Sequence, residues 1–200
     1  MFESRSPLAG RLALGGRDGA DGGRAVRFTE IRGRHLVQLG VFGGGVSALS
    51  PLVRSITGAA LPDSTCEVTD SGGLRLYRIA ADQYWIVALD PGASRALEQA
   101  VPRDLGTVTV LTGARVCLRL EGAAAAAVLA HHVALDLDMK EFPPGRFAQT
   151  GIDHAGVLLD RRGAECFELY VLGTFAASAW DLLVDSALPY GYSILQETAE

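Results

Sequence analysis

Apolar residues recur along this chain at two spacings, and the changes from one to the other mark its elements. Segments 26–31, 35–42, 74–79, 83–89, 108–111, 114–120, 147–152, 157–160 and 166–172 carry the alternating or continuous apolar runs of strands. Helical spacing appears at 46–57, where Leu49, Leu52, Val53 and Ile56 share a face and Gly58 ends the run. Asp90 and Pro91 open a second helix that runs to 101. Residues 122–132 make an alanine-rich third helix, and Thr174 caps a fourth that runs to 188.

The order of elements repeats. Residues 36–101 read strand, helix, strand, strand, helix, and residues 114–188 repeat that order with one additional strand. Leu74-Arg75-Leu76-Tyr77-Arg78 before Tyr84-Trp85-Ile86-Val87 parallels Val157-Leu158-Leu159-Asp160-Arg161 before Phe167-Glu168-Leu169-Tyr170-Val171. Helices that follow strand pairs pack on one face of an antiparallel sheet. The expected fold is therefore α+β: two split β-α-β (ferredoxin-like) units side by side, mainly antiparallel, with helices on one face. The expected segments are a glycine-rich arm at 1–24, a first unit at 25–111 and a second at 112–200.

Composition narrows the functional classes. With 48% hydrophobic and 20% charged residues, the 200-residue chain can bury a core without disulfides or metals. A formal net charge of −5 does not suit neutralising phosphates, so no nucleic acid is expected as a partner. Lys140 is the only lysine among 18 basic residues. Cys66, Cys117 and Cys166 are odd in number and outside any CxxC pattern, which suggests reduced, buried thiols and a cytoplasmic location. No stretch approaches the roughly 18 apolar residues of a membrane span, and Met1-Phe2-Glu3-Ser4-Arg5 lacks a signal pattern.

Two stretches invite an interaction. The arm holds six glycines between Gly10 and Gly23 and cannot bury enough apolar area to order itself. It is expected either to stay loose or to order against a partner through anchors such as Pro7 and Leu8. The run Phe142-Pro143-Pro144-Gly145-Arg146-Phe147-Ala148-Gln149-Thr150 joins a helix-like to a strand-like segment through a backbone nearly dictated by its prolines. It presents Arg146, Phe147 and Gln149 beside a stiff turn; the plainer reading is a loop that sets strand register.

Motifs for catalysis are weak. Gly43-Gly44-Gly45-Val46-Ser47-Ala48 fits a dinucleotide-binding loop, and Asp63 stands at the distance of a ribose-binding acid, but Leu61-Pro62 replaces the buried strand that should carry it. His131-His132 with Asp136, Asp138 and Asp153-His154 suggests a metal, yet adjacent helical residues point about 100° apart. A surface cluster at a helix end accounts for them better. No nucleophile elbow or P-loop occurs, and Cys166 reads as a core thiol.

The run Gly113-Ala114-Arg115-Val116-Cys117-Leu118-Arg119-Leu120-Glu121-Gly122, then Leu135-Asp136-Leu137, 142–150, 167–171 and Phe175-Ala176-Ala177-Ser178-Ala179-Trp180-Asp181-Leu182-Leu183 resembles the gamma subunit family of heterotetrameric sarcosine oxidases. Ser6-Pro7-Leu8-Ala9 is similar to that family's start; the glycine-rich stretch from Gly15 to Gly23 departs from it. The resemblance implies a folate-binding aminomethyltransferase-like fold and a flavin-dependent complex with alpha, beta and delta subunits. That complex oxidises sarcosine to glycine with formaldehyde or methylene-tetrahydrofolate and hydrogen peroxide. It also implies that FAD, FMN, NAD, tetrahydrofolate and zinc sit on other subunits, and that this chain holds no cofactor and no catalytic residue. Arg146, Phe147, Gln149, Pro7 and Leu8 are then the expected partner-facing residues, with Trp180 and Tyr190 as further anchors. The alternatives are the gamma subunit of a related N-methyl amino acid oxidase or dehydrogenase, and a folate-dependent one-carbon transferase, which needs a carboxylate for the pterin edge and an aromatic wall. Asp153, Glu168, Tyr84 and Trp85 are the residue types at hand, with Glu168 expected to face solvent.

Overall fold

Strand alternation in the sequence becomes two sheets, each covered on one face by helices. The computed structural model describes residues 6–195. In chain order the first elements are β1 (Gly15–Arg17), β2 (Val26–Ile31), β3 (His35–Val41), α1 (Val46–Thr57), β4 (Val68–Ser71) and β5 (Leu74–Ala80). Then come β6 (Gln83–Ala88), α2 (Pro91–Ala100), β7 (Gly106–Val110), β8 (Arg115–Glu121) and α3 (Ala125–Ala130). The last are β9 (Phe147–Ile152), β10 (Ala155–Gly163), β11 (Cys166–Leu172), α4 (Ala176–Ala187) and β12 (Tyr192–Leu195). None of the described helices is long and apolar enough to cross a membrane.

Gly33–Thr112 forms one unit with a five-stranded antiparallel sheet in the order β4-β5-β6-β3-β7. Without the edge strand β4, the path β3-α1-β5-β6-α2-β7 has the strand order fourth-first-third-second of a split β-α-β unit. β4 joins β5 through Gly72 (φ 55°) and Gly73 (φ 87°), two left-handed residues that suit a tight hairpin. Val37, Leu39, Leu76, Tyr84 and Ile86 on the helix side meet Leu49 and Val53 of α1 and Leu97 of α2.

The residues before Gly33 and after Thr112 form the other unit, a seven-stranded sheet in the order β1-β12-β2-β8-β11-β10-β9. Here β8-α3-β10-β11-α4-β12 repeats the same permutation, with β2 inserted between β12 and β8. Only the β12–β2 pair is parallel. Phe28, Leu118, Leu159, Phe167 and Leu169 pack against Val128 and Leu129 of α3 and Trp180 and Leu183 of α4. The Phe28 and Trp180 rings meet edge to face at 5.5 Å.

The expected segment boundaries at 25 and 112 follow chain order, whereas pairing follows space. β2 bonds to β8, not to β3, so it belongs to the sheet of the second half. The arm differs from expectation too, because it orders on its own unit. Leu8 is fully buried in that unit's core, Ser6 Oγ donates to Glu30 Oε1 at 2.5 Å, and Arg11 Nε lies 3.1 Å from Asp181 Oδ1. Gly191 (φ 69°) lets the segment close: a Cβ there would sit 2.1 Å from the Gly23 carbonyl oxygen. Leu8→Ala is therefore expected to cost about 2–5 kcal/mol, read as a lower urea midpoint at unchanged slope.

Candidate functional site

The proline turn is anchored from beneath by a residue that the sequence did not mark. Arg161 lies on the core-facing register of β10, in line with Val157 and Leu159, and is only 2% exposed. Its Nη1 donates to the carbonyl oxygens of Leu137 (2.8 Å) and Phe142 (2.7 Å), its Nη2 to Ala164 (2.6 Å) and its Nε to Gly163 (3.2 Å). Its guanidinium sits 4.8 Å from the centre of the Phe167 ring. Burial pulls its pKa below the usual value, and the charge of Asp138 opposes that shift. The backbone completes the fixture. Gly145 (φ 86°) donates to the Arg161 carbonyl at 2.9 Å, and the Arg161 N–H returns a bond to Arg146 at 2.9 Å.

Of the residues expected to face a partner, Pro7 and Gln149 are exposed and Arg146 is half-buried. Arg146 and Gln149 also have contacts of their own within the chain. Phe147 and Leu8 do not fit the role, because both side chains are buried, at 1% and 0% exposure. Trp180 is likewise a core residue, and Tyr190 packs against the same core.

On the face of the seven-stranded sheet away from its helices, registered pairing lines up Thr29, Arg119, Glu168, Asp160 and Phe147 across β2, β8, β11, β10 and β9. Glu168 and Asp160 are direct cross-strand partners and both are fully buried, so the expected solvent-facing Glu168 is overturned. Like charges placed opposite one another repel. Arginines compensate: Arg119 Nη2 and Nε converge on Glu168 Oε1 at 2.7 and 3.1 Å. Arg162 lies 3.8 Å from Glu168 and 3.9 Å from Asp160, and Tyr170 donates its hydroxyl to Glu168 Oε2 at 3.4 Å. Two acids and two arginines make a neutral set.

The thiols differ from one another. Cys117 is buried, Cys66 is exposed and Cys166 is half-buried on the charged face, so the expectation of three buried thiols holds only for Cys117. Burial, reinforced by Glu121 and Glu168, pushes the Cys166 thiol up to about 11 against the pull of Arg119. It is a poor nucleophile at neutral pH.

The remaining candidates fall into structural places. The Gly43–Gly45 loop caps α1, but β6 separates β3 from β5, so no adjacent parallel pair forms a nucleotide crevice there. Asp136 and Asp138 accept the N–H groups of Asp138 and Lys140. Among the described residues no three His, Cys, Asp or Glu side chains converge to hold an ion. Asp153 occupies an exposed hairpin turn at φ 52°, Tyr84 is in the core of its unit, and Trp85 donates to Gln38 Oε1 at 3.0 Å.

His132 follows α3 and its Nε2 lies 2.7 Å from Ser186 Oγ on α4. Burial holds its pKa below the ordinary 6.5; a backbone contact with Leu182 opposes the shift and His131 adds to it. A folded-state pKa below the unfolded one means that the neutral ring stabilises the fold above about 6.5, and that this contribution is lost as pH falls through the folded value. Melting curves between pH 8 and pH 5 should therefore fall more steeply for the wild type than for His132→Gln.

Two split β-α-β units with edge hairpins, each with helices on one face of its sheet, define the fold of the chain. The model of the GCVT N-terminal domain matches residues 68–196, and the chain belongs to that family. It is 29% identical over 184 residues to the sarcosine oxidase subunit gamma of Corynebacterium sp. (strain U-96), covering 91% of this chain and 89% of that one. A chain of the heterotetrameric sarcosine oxidase from Corynebacterium sp. U-96, solved in complex with pyrrole 2-carboxylate, superposes with a TM-score of 0.79. That match has 27% identity and covers 98% of each chain. The glycine cleavage system aminomethyltransferase T from Bartonella henselae shares the fold at a TM-score of 0.60 and 20% identity, over 86% of this chain and 48% of that one.

Proposed function

We propose that this chain is the gamma subunit of a heterotetrameric, flavin-dependent sarcosine oxidase. In that complex sarcosine becomes glycine, with formaldehyde or methylene-tetrahydrofolate and hydrogen peroxide as the other products. The observation that carries the reading is the likeness to a chain of the Corynebacterium oxidase over 98% of both chains, when an aminomethyltransferase is matched over less than half its length. The chain's own part is non-catalytic: it helps assemble the complex and shapes the passage between flavin and folate sites. Its buried carboxylates support this, because Glu168 is already bound by Arg119 and Tyr170. FAD, FMN, NAD, tetrahydrofolate and zinc belong on the alpha, beta and delta subunits, and Pro7, Arg146 and Gln149 remain the candidate partner contacts.

The test is to tag the chain in its own cell and measure the native mass and visible absorbance of what copurifies. A yellow complex several times heavier than 21.1 kDa that oxidises sarcosine faster than other N-methyl amino acids is expected. A colourless monomer stabilised by folate would move the chain to the transferase class.

A further inference from the structure

The two units share more than their strand order. Leu74 to Arg78 matches Val157 to Arg161 in pattern, and the match continues through the hairpin that follows, where Arg78, Ala81 and Tyr84 stand at the same spacing as Arg161, Ala164 and Phe167. Each arginine lies two residues beyond a core leucine, Leu76 or Leu159. Each also comes directly before a break in strand register, between Arg78 and Ala80 in one unit and between Arg161 and Gly163 in the other. Such an irregularity re-aims a side chain.

The bonds repeat as well. Nη2 donates to the carbonyl three residues on, from Arg78 to Ala81 at 2.7 Å and from Arg161 to Ala164 at 2.6 Å. Nη1 reaches back to the loop after the unit's first helix, to the Asp63 carbonyl at 2.6 Å and to that of Phe142 at 2.7 Å. The aromatic ring six residues on lies beneath each guanidinium, Tyr84 at 5.8 Å and Phe167 at 4.8 Å to the ring centre. Both loops carry a buried apolar residue directly before a proline, in Leu61-Pro62 and in Phe142-Pro143.

The two copies differ in strength. Arg161 is buried and also binds the carbonyls of Leu137 and Gly163. Arg78 is half-buried and binds two carbonyls, and its Nε meets no acceptor among the described residues. Bonds from a charged donor strengthen as water is excluded, so the wetter arginine with fewer acceptors holds its loop less firmly. We infer that Arg78 is the latch of the loop 58–67, and that this loop opens without the rest of its unit unfolding. Opening takes Leu61 and Pro62 out of their buried positions and uncovers Tyr84. Burial raises the pKa of that tyrosine, the Arg78 charge opposes the shift, and Asp63 and Asp82 add to it, so the latch and both acids stand close to the ring.

Hydrogen exchange on the full-length chain tests the inference. Arg78→Met should speed exchange across 58–67 by at least about tenfold while β5 and β6 keep their wild-type rates, and Arg78→Lys should fall between the two. Unchanged exchange in Arg78→Met would sink the inference, because the loop would then be held without the arginine. Equal acceleration in β5 and β6 would overturn it too, making Arg78 a support of the whole unit. The wild type gives a second measurement that does not depend on a variant folding. Ala59 and Leu61 are buried, and if the loop opens by itself their amides should exchange at rates that low urea leaves unchanged, while those of β5 and β6 accelerate with urea. Ala59 and Leu61 amides that follow β5 and β6 in urea would show that the loop opens only with its unit, and would end the proposal.

Discussion

Arg161→Met should lower the stability of this chain by about 3–5 kcal/mol, although the new side chain fits the space over Phe167. The loss comes from the carbonyls. Those of Leu137, Phe142, Gly163 and Ala164 share one guanidinium as donor, at 2.6 to 3.2 Å, and methionine offers them nothing. For a chain of this size the change is worth roughly 6–20 °C in melting temperature. Arg161→Lys keeps the charge but cannot reach four acceptors from one nitrogen, so it should fall between the two. A loss below about 1 kcal/mol would mean that the backbone bonds between Arg161, Gly145 and Arg146 hold the turn without the side chain.

Glu168→Gln should cost a comparable 3–5 kcal/mol, because it removes the carboxylate on which Arg119 closes and leaves the second acid, Asp160, to balance two arginines. A double-mutant cycle with Arg119→Met isolates the pair. Coupling of about 1–3 kcal/mol is expected, and Arg119→Met with Glu168→Leu should recover much of the single-variant loss. If the two changes simply add, the registered row from Thr29 to Phe147 is geometry without energetic linkage.

The elements of the fold could be read from the sequence where periodicity was strong. Helix α1 was legible because Leu49 and Val53 form one face and Gly58, at φ 75°, caps it with a bond to Arg54. The repeated order also gave the split β-α-β class that both sheets display. Three short strands carry almost no signal. Gly15–Arg17 is wholly exposed and pairs through backbone alone, Val68–Ser71 is polar, and Tyr192–Leu195 buries only Ile194. The segment boundaries misled because β2 stays close to β3 in sequence but pairs with β8, and local patterning does not encode pairing.

The candidate site was harder to read for a different reason. Glu168 looked solvated because alternation normally leaves one face of an antiparallel sheet wet. Here both faces of β10 and β11 are buried, so charges had to find partners across strands. The glycine-rich arm looked too poor in apolar area to order itself, yet Leu8 is buried in the core and Leu12 packs against it. Arg161 could have been suspected from its place two residues beyond Leu159, on the inward register of the same strand.

The insertion of β2 between β8 and β12 also governs the order in which the chain can fold as it is made. Gly33–Thr112 is one continuous stretch and has all its strands once Val110 has been synthesised. Its host has to wait. β2 emerges early but has no neighbour until Arg115–Glu121 appears, and the parallel strand on its other side, Tyr192–Leu195, comes last. At about 5–20 residues per second, that interval leaves Phe28 and its apolar neighbours uncovered for several seconds. During translation it is β2, not the inserted unit, that most needs protection from aggregation and proteolysis.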